Sequence, residues 1–130
     1  MDHSNCPRPG ANTPEISITN VAQLVGDVWT LLIISLLMCG MQRFGQLQEK
    51  LNKINECRRT SISPNTLSQR LKTLEAGGLI SRESYPEIPP RVEYSLTEKG
   101  VALYDVIKAM SDFELRYMAD MESSHNAPAE

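Results

Sequence analysis

SPNTLSQRLKTLEAGGLISRESYPEIPPRVEYSLTEKG, residues 63–100, decides the fold, because a helical period gives way to a strand period and then returns. Ser63 offers a side-chain oxygen to a helix start, and Pro64 suits the first helical position, where its missing N–H costs nothing. Leu67, Leu71 and Leu74 form one buried stripe, and Gly77-Gly78 ends the helix. The pattern then changes. Leu79–Tyr85 and Arg91–Leu96 each suit a short strand. Pro86-Glu87-Ile88-Pro89-Pro90 cannot donate a full ladder of hydrogen bonds, so it is the loop of a hairpin. Thr97 caps a long final helix, with Leu103, Ile107, Met110, Phe113, Tyr117 and Met121 along one face.

Upstream, Phe44, Leu47 and Leu51 predict a short amphipathic helix over 44–51, and the polar stretch from Asn52 to Ile62 reads as a loop. Val28 to Met38 (VWTLLIISLLM) is apolar nearly all round, which predicts a helix to about Cys39 at the centre of the core, stopped by Gly40. Val21, Leu24, Val25 and Val28 begin a helical pattern that Gly26-Asp27 breaks. Residues 1–15, with Pro7, Pro9, Gly10 and Pro14, read as a flexible arm, and 122–130 as a disordered tail. The expected fold is therefore α+β and mainly helical: a winged helix-turn-helix over 16–121 with a two-stranded wing. Within it, one helix spans about 63–77, the wing about 79–96 and the final helix about 97–121.

With 130 residues, 41% hydrophobic and 22% charged, the chain has the balance of one globular domain. Its longest apolar run, 11 residues, falls short of the roughly 20 that a bilayer needs. The N-terminus lacks the basic-then-apolar order of a signal peptide. Cys6, Cys39 and Cys57 are too few and too irregular for a disulfide framework, so reduced thiols in a cytoplasm are expected, with Cys39 a core filler.

The net charge of −3 argues against a nucleic-acid partner until its distribution is considered. Between Met41 and Arg91 nine Lys/Arg face five acids, a local +4, which leaves −7 for the rest. A polyanion senses the local patch, because charges beyond about 8–10 Å are screened. On the helix from Ser63, Asn65, Thr66, Gln69, Lys72 and Thr73 lie opposite the leucines, and Arg70 flanks that polar face. Such side chains read base edges or grip phosphate, although many amphipathic helices simply have a polar outside. A proline-rich hairpin tip flanked by Arg82 and Arg91 reaches the neighbouring backbone or minor groove, or is a solvated turn. Together, and in this order, the two features favour a sequence-specific DNA-binding regulator of transcription.

The runs Gly26–Ile33, Arg43-Phe44-Gly45-Gln46-Leu47, Ile62–Leu71, Leu74–Ile80 and Tyr85–Gly100 resemble the HxlR-type winged helix-turn-helix regulators. The run YPEIPPRVEYSLTEKG is the most specific of these. The resemblance implies a homodimer, most simply a repressor, on an inverted-repeat operator in double-stranded DNA. It places Ser63, Pro64, Asn65, Thr66, Gln69, Arg70, Lys72, Thr73, Arg82, Arg91 and Arg43 at the DNA. It also places the stripe Leu103, Ile107, Met110, Phe113, Tyr117 and Met121 at the dimer contact. Two departures stand out: the 52–62 loop, with Arg58 and Arg59, is longer than the family's usual turn, and Cys6-Pro7 lies far from Trp29. Some members sense oxidants through such a thiol. Cys6, and after it Cys57, is therefore a redox candidate, set against the plainer reading of unreactive surface thiols.

His3 and His125 lack ligand spacing, and no glycine-rich phosphate loop or Ser–His pairing is present, so neither enzyme nor metal nor cofactor is expected. The rival reading is a winged helix that binds another protein instead of DNA. A small ligand among Met110, Met118 and Met121 is a further option beside plain dimer packing.

Overall fold

The computed structural model describes residues 17–56 and 60–118. The arm over 1–15, the tail over 122–130, Cys6, Cys57, Arg58, Arg59 and Met121 lie outside the described residues. The order is α1 Thr19–Val25, α2 Val28–Met38, β1 Gln42–Arg43, α3 Phe44–Ile54, α4 Pro64–Ala76, β2 Ile80–Tyr85, β3 Arg91–Leu96 and α5 Glu98–Phe113. A π-helical turn, Glu114–Met118, continues α5. The sheet is antiparallel in the order β1-β3-β2. Helix is the main component, and the fold is a winged helix-turn-helix.

Each boundary has a local cause. Asp27 ends the α1 pattern and caps α2, its carboxylate accepting from the Thr30 backbone N–H at 3.0 Å and the Thr30 hydroxyl at 2.7 Å. The two helices meet at 80°, and among the described residues no single helix is long and apolar enough to cross a membrane. Ser63 accepts from the Thr66 N–H at 3.1 Å with Pro64 just inside, and Thr97 accepts from the Gly100 N–H at 3.2 Å. Gly78 turns the chain from α4 into β2 with φ of 77°, a conformation open to glycine and costly for other residues.

Ile33, Ile34 and Leu37 of α2, Leu47 and Leu51 of α3, and Leu67, Leu71 and Leu74 of α4 form the interior with Leu79, Ile80, Tyr94, Leu103 and Ile107. The start of α5 is fastened to the α4–β2 turn. Lys99 Nζ donates to the Gly77 carbonyl at 2.8 Å, the Thr97 hydroxyl to that of Gly78, and the Thr97 N–H to that of Leu79 at 3.1 Å. These bonds hold the wing root, α4 and α5 as one piece.

Several expectations are corrected. The wing gains a third strand, Gln42 pairing with Tyr94 and Arg43 with Glu93; two residues are too short to show a strand period. α3 runs on to Ile54 through what read as loop, because Asn52 accepts from the Ile62 N–H at 2.7 Å and so works from a helix. α2 is buried on one side only, with Val28 and Met38 exposed and Leu31 and Leu32 half-buried. Cys39 is exposed as well, since it follows the last turn of α2 and leaves the core with the chain.

Candidate nucleic-acid interface

α4 is built to present one face. Its three leucines are at most 1% exposed, so the rotation of the helix about its axis is set by burial. Asn65, Gln69, Lys72 and Thr73 are consequently exposed on the opposite side, with Ser63 and Pro64 exposed at its start and Thr66 half-buried. The Ser63 hydroxyl also donates to Thr66 Oγ1 at 3.1 Å, so these two side chains are occupied with the cap. What remains on offer is an amide pair, a cation and a threonine, together with the Asn65 backbone N–H, since Pro64 has none and those of Thr66 and Leu67 are bonded to Ser63.

Arg70, expected at the DNA, is turned elsewhere. Its Nε lies 2.7 Å from Asp27 Oδ2 and its Nη2 3.4 Å from Oδ1, so α4 is tied to the capping residue of α2. The reason is position: Arg70 stands nearer the leucine stripe than the outward face, beside a carboxylate that is itself half-buried. Partial burial opposes the Asp27 charge. Hydrogen bonds from Arg70 and Thr30, with the attraction of Arg70, outweigh it and hold the carboxyl below its ordinary range.

Arg91 is likewise engaged inside the wing. Its guanidinium lies 4.1 Å from the centre of the Tyr85 ring, and pairs with Glu87 at 3.0 Å and Glu93 at 3.5 Å. Its buried Nε has no well-formed hydrogen bond and faces only Glu93. Strand pairing puts Arg91 directly opposite Tyr85, so the ring is the first surface it meets. By contrast Arg43, Lys72 and Arg82 are exposed, with no ion pair among the described residues. Arg43 begins α3, where its backbone N–H donates to Gln46 Oε1 at 2.8 Å.

The stripe on α5 divides. Leu103 and Ile107, 7% and 8% exposed, belong to the core of this chain, because α2 covers them. Met110, Phe113 and Tyr117 are exposed, the two rings 5.2 Å apart. With Leu31, Leu32, Val106 and Leu115, Met110 and Phe113 line an open groove of about 700 Å³ between α2 and α5.

A helix with a polar outward face and an adjoining wing is thus in place, and a family model described as HxlR-like helix-turn-helix matches residues 24–122. The chain belongs to the HxlR-like family. An HTH-type transcriptional regulator of Methanothermobacter thermautotrophicus is 36% identical over 100 residues, covering 77% of this chain and 70% of that protein. YodB, an HTH-type transcriptional regulator of Bacillus subtilis, is 34% identical over 110 residues, 85% of this chain and 83% of its own. The structure of reduced YodB superposes with a TM-score of 0.65 at 35% identity, covering 78% of this chain and 91% of that one. Reduced HypR, a redox regulator, superposes at 0.65 with 28% identity, over 82% of this chain and 97% of its own. This HxlR-like chain is a DNA-binding helix-turn-helix regulator of transcription, in a family of regulators and not of enzymes.

One residue that positions the candidate interface of this HxlR-like domain is not legible as such in the sequence. Asp27 was legible as a helix breaker but not as the partner of Arg70, 43 residues away. Its signal was the spacing Asp27-x-x-Thr30, a capping pattern.

Proposed function

We propose that the chain acts in the cytoplasm as a homodimeric repressor, α4 entering the major groove of each half of an inverted-repeat operator. The observation that carries this reading is the outward face of α4, where Asn65, Gln69, Lys72 and Thr73 are exposed while burial of the leucines fixes their direction. Arg43 on β1 and Arg82 on β2, exposed and without an ion pair among the described residues, reach phosphate on either side. In a duplex, Gln69 bonds adenine through two atoms, and Lys72 meets phosphate or guanine.

Gln69→Ala is expected to weaken binding to a fragment of the protein's own promoter by about tenfold and to relax base preference. Lys72→Ala is expected to weaken binding on every sequence and to lower the slope of log affinity against log salt by about one. Fluorescence anisotropy across a salt series reads both. Affinity indifferent to salt would favour a protein partner instead. Unchanged base preference in Gln69→Ala would refute the assignment of the reading face.

The dimer is supported by apolar surface left uncovered on one chain: Ile18 and Val21 around α1, and Met110, Phe113 and Tyr117 on and after α5. Phe113→Asp is expected to yield a monomer in sedimentation velocity at concentrations where the unsubstituted chain is dimeric, and to lose operator binding with it. A dimer unchanged by that substitution would move the contact elsewhere. An oxidant signal of the kind named for HypR would act through Cys6 or Cys57, and the exposed Cys39 adds a third thiol.

A further inference from the structure

Residues 55–63 separate α3 from α4, more than twice the turn of about 3–4 residues that usually joins such a pair of helices. A connection of that length does not fix the register of two helices by itself, because a longer loop closes along many paths at little extra cost. Register here comes from one residue near its end. Ile62 is 2% exposed, in the same core cluster as Leu47, Leu51 and Leu67. Its backbone is held on both sides. The N–H donates to Asn52 Oδ1 at 2.7 Å, and the carbonyl accepts from Gln48 Nε2 at 3.3 Å. Gln48 and Asn52 are half-buried and stand one helical turn apart on α3, each next to a buried leucine, Leu47 and Leu51. The two carboxamides thus offer Ile62 what a neighbouring strand would offer, one acceptor and one donor.

We propose that Gln48 and Asn52 are positioning residues for DNA binding: by clamping Ile62 they set the register of α4 against α3, independently of the connection between them. The inference rests on the DNA reading above and extends it to two side chains of the neighbouring helix. The path from clamp to reading face is short. Ser63 follows Ile62 directly, its side chain accepts from the Thr66 N–H at 3.1 Å, and its carbonyl accepts from the Leu67 N–H at 3.0 Å. Asn65 lies on that first turn and Gln69 on the next. A slip of one residue at Ile62 would move the start of α4 by about 3.5 Å. Hydrogen bonds to a base edge do not survive such a shift. Arg70 ties the middle of α4 to Asp27, so the clamp secures the end that the ion pair leaves free.

The test uses two substitutions that add the same charge one helical turn apart. Asn52→Asp keeps an acceptor for the Ile62 N–H, whereas Gln48→Glu sets a carboxylate against the Ile62 carbonyl. Anisotropy with the promoter fragment and a scrambled one is read at a temperature where circular dichroism shows every variant folded. Gln48→Glu is expected to bind the promoter about tenfold more weakly than Asn52→Asp and to lose preference for it, with equal salt slopes. Gln48→Lys, which restores a donor, is expected to recover the preference. A Gly/Ser insertion of about nine residues after Glu56 roughly doubles the connection. It should leave the affinity of the unsubstituted chain within about twofold, and weaken Gln48→Glu by about threefold more. Equal binding by Gln48→Glu and Asn52→Asp overturns the clamp and leaves the α4 assignment standing. An insertion that weakens both backgrounds equally overturns it too. Amide exchange needs no variant: the Ile62 N–H should exchange slowly in the free protein, and exchange as fast as that of the exposed Ser61 overturns the proposal. An unsubstituted chain without salt-dependent binding overturns the DNA reading and the positioning role together.

Discussion

Gly100→Ala is expected to cost the domain about 3 kcal/mol or more and to lower its melting temperature by more than about 10 °C. A Cβ at Gly100 would collide with the Leu79 backbone carbonyl and press on Leu96 Cδ2 at 3.0 Å. The Leu96 methyl is the end of a flexible side chain and can shift, but the Leu79 backbone cannot yield cheaply. The Leu79 carbonyl accepts from the Thr97 N–H, and Leu79 itself is buried. Relief requires α5 to withdraw from the wing root, which breaks the Thr97 and Lys99 bonds to the Gly77-Gly78 turn. The damage would reach function, because the same turn ends α4. Gly45→Ala is the control: a Cβ there meets nothing within 4 Å, and the position is helical, so the change should be neutral or stabilise by up to about 1 kcal/mol. Thermal melts followed by circular dichroism decide, and equal effects at the two glycines would refute the close-approach account.

Asp27→Ala is expected to remove about 2 kcal/mol, second only to the glycine change. The cap on α2 contributes about 1 kcal/mol. The charge-assisted bond to Arg70 adds a similar amount, discounted because both side chains remain about one-third open to water. The two parts separate by substitution, since Asp27→Asn keeps a good capping side chain and loses only the charge. They separate by pH as well. The folded state holds the Asp27 carboxyl below its ordinary range, so its contribution is complete above the unfolded value of about 3.9. It is lost as pH falls through the lower, folded value. Urea titrations between pH 7 and acid should therefore show the unsubstituted chain losing its advantage over Asp27→Asn as pH falls below about 4. A constant difference across that range would show that the ion pair adds nothing. Loosening this tie should also weaken operator binding, since Arg70 is the link between α4 and the start of α2.

The winged helix was readable where period and chemistry are local. Ser63-Pro64 starts a helix by its own capping geometry, three leucines set its inner face, and prolines mark the hairpin loop. Each of those signals acts within a few residues and needs no partner. β1 was not readable, because a two-residue strand exists only by virtue of its partner, β3. The burial of Leu103 and Ile107 was misassigned for a related reason: periodicity shows that a face is apolar but not which molecule covers it.

The sequence by itself determined the order of the helices and of strands β2 and β3, the direction of the polar face of α4 and the family to which the chain belongs. Only the tertiary structure decided which cations are free to meet a polyanion. Arg70 and Arg91 look equivalent to Lys72 and Arg82 in the linear chain, yet Asp27 holds the first, and Tyr85, Glu87 and Glu93 hold the second. Ion pairing depends on distances of a few ångströms between residues that can be dozens apart in sequence. Folding therefore sets the effective charge of the candidate interface.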